Sequence, residues 1–127
     1  MITPEQLAKS GTEQGEQVAL LQWCALQRAK WPELTLIFAI PNGGTRNPIE
    51  AARMKAAGVK AGVSDLFLPV ARDGYYGLFI EMKRKGGKAS PLQLEFGRAV
   101  TNQGYAFHVC DSWQKAAEVI KDYLTAK

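Results

Sequence analysis

Histidine is almost missing from this chain, one in 127 residues, and the two cysteines, Cys24 and Cys110, stand far apart with no Cys-x-x-Cys spacing. A structural zinc site takes four such ligands at short spacings, which excludes zinc as an organising element. The same scarcity predicts two buried, reduced thiols rather than a disulfide framework. There is no apolar run of about 18 residues, so no segment reads as a membrane span. The opening Met1-Ile2-Thr3-Pro4-Glu5 has no basic-then-apolar leader pattern, and no repeat or low-complexity tract occurs. The expectation is a cytoplasmic protein.

What is present is ordinary in bulk. An apolar share of 46% and a charged share of 22% match a soluble globular chain, and the length predicts a single domain over residues 1–127. The net charge of +4 and a pI near 9.2 fit a polyanionic partner without requiring one.

Punctuation divides the chain into elements. Thr3-Pro4 starts a short helical piece that Gly11 ends,. Ser10 with Glu13 has capping-box spacing, and Thr12 is a rival cap. Val18, Leu20, Leu21, Trp23, Cys24 and Ala25 recur at helical intervals, which predicts a helix to about Lys30, closed by Pro32,. Leu34 to Ile40 reads as a strand, followed by the turn Pro41-Asn42-Gly43-Gly44. Asn47-Pro48 opens a helix that Gly58 caps. Leu66–Val70 and Tyr76–Lys83 are apolar, β-prone runs about a turn at Arg72-Asp73-Gly74,. Ser90-Pro91 opens a helix to Gln103, Tyr105–Cys110 is a strand, and Ser112 caps a last helix to Leu124. The order is α-β-α-β-β-α-β-α. The hairpin pairs antiparallel and the helical crossover allows a parallel last strand, so a mixed central sheet flanked by helices is predicted.

The chemistry gathers on the hairpin. Centred on Asp73, it sets Asp65 opposite Glu81, and alternation puts Lys83 on the face of Glu81. Directly opposed carboxylates are destabilising, and a hard divalent cation such as Mg²⁺ is the usual reason a fold keeps them.

Four ordered blocks add to this: Pro41-Asn42-Gly43-Gly44, Gly58-Val59-Lys60-Ala61-Gly62-Val63-Ser64-Asp65-Leu66, Ile80-Glu81-Met82-Lys83 and Ser90-Pro91-Leu92-Gln93. An acid heading one strand and Glu-x-Lys on the next resembles the PD-(D/E)xK nuclease superfamily. The four blocks together resemble its VRR-NUC family, the virus-type replication-repair nuclease domain, over almost the whole chain. One departure is Ser64 where the family pattern has proline. The resemblance implies a restriction-endonuclease-like core and a Mg²⁺-dependent DNA endonuclease, with Mn²⁺ able to substitute. It further implies branched DNA such as a Holliday junction as substrate, a homodimer matching a symmetric junction, and a bacterial or phage-infected cell.

It also implies roles. Asp65, Glu81, the Met82 carbonyl and Glu16 hold metal, while Lys83 orients the attacking water and offsets phosphate charge. Glu13 rivals Glu16 for the first-helix acid, and Glu16 is preferred. Gln93 is a site residue or simply half of a capping box. Asn42, Gly43, Gly44, Arg46, Arg53, Lys60, Arg84, Lys85 and Lys88 are candidates for contact with DNA. A non-catalytic nucleic-acid-binding module of the same fold and a nucleotide phosphohydrolase are the alternatives.

Overall fold

The structure is a computed structural model and describes residues 2–41 and 47–126. The expected Asn42, Gly43, Gly44 and Arg46 lie outside the described residues.

Caps decide where the helices begin. Helix α1, Pro4–Leu7, has Thr3 and Gln6 in a reciprocal capping box. Thr12, not Ser10, caps α2, Glu13–Leu26, by accepting from the Gly15 amide. Asn47 caps α3, Pro48–Ala56, accepting from the Ile49 and Glu50 amides. Ser90 caps α4, Pro91–Asn102, and Ser112 caps α5, Trp113–Thr125. Each cap satisfies amides that the first turn leaves without a helical partner.

Four strands form one sheet in the order β1-β2-β3-β4: Phe38–Ala39, Leu66–Leu68, Leu78–Met82 and Ala106–Cys110. β1–β2 and β2–β3 are antiparallel, while β3–β4 is parallel through the α4 crossover. This is the mixed α/β sheet that the element order predicts. The first strand is shorter than expected. Residues Pro32–Leu36 wind into a 3₁₀ turn that buries Leu34 completely, leaving two residues to pair.

The hairpin register is the predicted one, with Leu66 opposite Ile80 and Leu68 opposite Leu78. Its tip differs. Arg72 pairs with Tyr75 around left-handed Asp73 and Gly74 (φ 48° and 81°), as a two-residue hairpin turn demands. Three residues then separate the tip from the ladder on the first side and two on the second. Pro69, which has no amide to donate, absorbs the excess: the Val70 amide bonds back to the Leu68 carbonyl across it, and Tyr123 Oη donates to the Val70 carbonyl,.

Alternation gives the sheet two unlike faces. Leu66, Leu68, Leu78, Ile80 and Met82 are buried in one cluster with Leu20 and Trp23 of α2 and Trp113 and Ile120 of α5. On the other face Phe67 stacks on Phe79 at 4.4 Å between ring centres, and Phe79 meets Phe96 of α4 edge-on. Cys24 and Cys110 are free and buried, and burial pushes their thiols up to about 12 and about 11, so both stay protonated.

Candidate metal centre

The site lies where β2 begins and β3 ends. Continuing the β2–β3 register one step past Leu66–Ile80 brings Asp65 level with Glu81. Asp65 is fixed by main chain from both sides. Its carbonyl accepts from the Ile40 amide, and its Oδ2 accepts from the Met82 amide at 2.8 Å. The carboxylate thereby substitutes for a strand carbonyl and prolongs the ladder by a rung.

Glu81 is the anomaly. It is fully buried, and neither carboxylate oxygen has a hydrogen-bond partner among the described residues. Its nearest cation is Lys83 Nζ, 3.6 Å from Oε2, within ion-pairing range but too long for a hydrogen bond. Burial, then the Asp65 carboxylate, pushes the Glu81 carboxyl up to about 9 against the partial relief of Lys83. An ionised carboxylate this deeply buried is costly, and Lys83 offsets only part of that cost.

A third acid completes the set. One ligand oxygen each from Glu13, Asp65 and Glu81 lies within 4.8 Å of the others. Glu13 occupies the first turn of α2, and Lys83 Nζ also reaches its Oε2 at 3.9 Å. Three carboxylates converging on a buried edge are the oxygen-donor set that Mg²⁺ and Mn²⁺ take. The orphaned oxygens of Glu81 satisfy the fit from the protein side.

The residues expected from sequence divide as follows. Asp65, Glu81 and Lys83 are brought together. Glu16 is not. It is buried, and its Oε1 accepts from the Trp113 amide at 2.8 Å, the first amide of α5. The structure thus brings Glu13, and not the preferred Glu16, beside Asp65 and Glu81. Glu16 shares a helical stripe with Leu20 and Trp23, which turns it toward α5, whereas Glu13 lies one turn nearer the sheet's end.

Gln93 completes the α4 capping box, accepting from the Ser90 amide at 2.8 Å and donating its own amide to Ser90 Oγ. Gly62 explains the glycine before Asp65. Its φ is 88°, and a Cβ there would lie 2.8 Å from the Leu92 carbonyl oxygen. The first turn of α4 thus packs against the backbone leading into the site. Arg53, Lys60, Arg84, Lys85 and Lys88 are all exposed. The loop bearing the last three is anchored by the Gly86 amide donating to Asp111 Oδ2 at 3.0 Å, and Lys115 pairs with the other oxygen of Asp111.

Comparison with known proteins adds an independent line. The family model described as the VRR-NUC domain matches residues 7–114. A solved structure described as a VRR_NUC domain protein is 33% identical, with a TM-score of 0.76, over 89% of this chain and 88% of that one. A search of curated proteins finds no match.

Proposed function

The chain belongs to the VRR-NUC family, a nuclease family, and from that premise we propose that it is a metal-dependent endonuclease hydrolysing phosphodiester bonds in DNA. The observation that carries the reading is the convergence of Glu13 and Asp65 on Glu81, whose buried oxygens lack a hydrogen-bond partner, with Lys83 alongside. Residues 1–127 are read as one such domain.

Asp65 and Glu81 are the proposed holders of a divalent cation, Mg²⁺ or Mn²⁺, with Glu13 and the Met82 carbonyl as further donors. Bound there, such an ion supplies Lewis acidity to the scissile phosphate and lowers the pKa of a water. The protein's own side chains do the rest. Asp65, tied to the Met82 amide, presents its other oxygen in a fixed direction. Lys83 is held between Glu13 and Glu81. It offsets the negative charge that grows on phosphate oxygens during in-line attack. Arg84, Lys85 and Lys88 leave the end of β3 directly beside it and are proposed to grip the DNA backbone.

Recognition of shape, as in branched DNA, is the proposed specificity. Two symmetric cuts in a four-way junction would require a homodimer. The test is to incubate the protein with linear, nicked, flapped and four-way DNA, with Mg²⁺ or chelator, and to map the cuts. Metal-dependent cutting with preference for branched forms is expected. Binding without cutting would favour the non-catalytic module, and hydrolysis of mononucleotides alone would favour a phosphohydrolase. Lys83→Ala should lower cutting by at least about a hundredfold while DNA binding, read by gel shift, changes little.

A further inference from the structure

Glu16 is the buried acid for which the cation site has no use. Its position in the fold gives it a different one. Helix α2 delivers Glu13 to the carboxylate cluster from its first turn, and a first turn is the part of a helix most prone to fray. One turn further on, Glu16 is nine-tenths buried and bonded to the Trp113 amide at 2.8 Å. That amide belongs to the N-terminal turn of α5, where a carboxylate is favoured both by the free N–H group and by the helix dipole. The contact spans 97 positions of sequence. Trp113 follows closely on Cys110, whose carbonyl accepts from the Lys83 amide at 2.8 Å. The chain of contacts therefore runs from α2 through Glu16 to the start of α5, and from there through the end of β4 to Lys83.

We propose that Glu16 is a positioning residue: by docking the start of α2 onto the start of α5, it sets Glu13 at the distance from Asp65, Glu81 and Lys83 that cation binding requires. The inference rests on the cation reading of the cluster given above. Glu16 touches neither the ion nor the phosphate in this account. It acts through Glu13.

The role makes an unusual demand on the chemistry of position 16: an oxygen acceptor is needed and a negative charge is not. Glutamine keeps the acceptor oxygen and discards the charge, whereas a metal ligand at this position would not survive that change.

The experiment is a Mn²⁺ titration, following loss of the free-ion electron paramagnetic resonance signal, at a temperature where melting curves show each variant folded. Wild type, Glu13→Gln, Glu16→Gln, Glu16→Ala and the double variant Glu13→Gln/Glu16→Ala are compared, with Asp65→Asn as the control for specific binding. Glu16→Gln should bind within about twofold of wild type, and Glu16→Ala about tenfold more weakly. In the Glu13→Gln background the alanine change should add little, because its effect passes through Glu13. Should Glu16→Ala not fold, Glu16→Met fills the same volume without an acceptor and takes its place.

A glutamine variant that binds as weakly as Glu13→Gln would make Glu16 a ligand and overturn the proposal. An alanine variant that is less stable yet binds Mn²⁺ like wild type would reduce Glu16 to a packing role and overturn it as well. If wild type binds no better than Asp65→Asn, the cation reading fails first, which separates that failure from this one.

Discussion

Glu81 is where sequence, burial and chemistry meet in a single side chain. Its carboxyl is raised to about 9 from the ordinary 4.5 by burial and by Asp65. The sign of the consequence follows from proton linkage. Between those two values the folded protein binds more protons at Glu81 than the unfolded chain does. Its contribution to stability is therefore constant below about 4.5, falls as pH rises toward 9, and levels off above. Melting curves of the metal-free protein in chelator should show this decline. Glu81→Gln should flatten it and add about 1–3 kcal/mol of stability near pH 8, the size of a relieved buried polar group. A glutamine variant less stable than wild type at that pH would mean that Glu81 is better accommodated than its orphaned oxygens indicate. A second residue-scale test concerns Gly62. Its left-handed φ and the nearby Leu92 carbonyl both oppose a side chain, so Gly62→Ala should destabilise by about 1–3 kcal/mol in thermal melts.

At the scale of elements, the hairpin was legible because alternation and a turn signal fix register without tertiary knowledge. Leu66–Leu68 and Leu78–Met82 pair as the sequence predicts, and Asp65, Glu81 and Lys83 follow from that. The first strand was less legible. Leu34 and Leu36 belong to an apolar run that looks extended locally, but burial of Leu34 wins and coils Pro32–Leu36 into a 3₁₀ turn. The choice between Glu13 and Glu16 was not decidable by spacing, since acids three apart share a helix face. What separates their surroundings is the distant start of α5, which takes Glu16, a contact no local pattern reveals. The loop after β3 carries its own prediction. Asp111 holds it through Gly86 and is itself held by Lys115. Asp111→Ala should raise KM for DNA several-fold with kcat nearly intact. Alanine at Arg84, Lys85 and Lys88 should weaken DNA binding and lower the salt slope of log K by about one for each phosphate contact removed.

For the whole molecule, the sheet is a scaffold whose two faces have separate duties. The aliphatic face supplies the core against α2 and α5; the aromatic face seats α4, whose first turn backs the approach to Asp65. Among the described residues no helix is long and apolar enough to cross a membrane. On the proposed reading the cation binds the folded state alone, so Mn²⁺ at a hundred times its dissociation constant should add about 2.7 kcal/mol, or roughly 10 °C in Tm for a chain of this length. Asp65→Asn should lose that shift, which differential scanning fluorimetry reads directly.

The spare residue at Pro69 bears on how such a chain can diverge. Tyr75 and Arg72 obey the geometry of their own turn, while Leu68 and Leu78 obey the ladder, and the kink between them uncouples the two. Replacements at the hairpin's distal tip can therefore accumulate without rotating Asp65 and Glu81 away from one another.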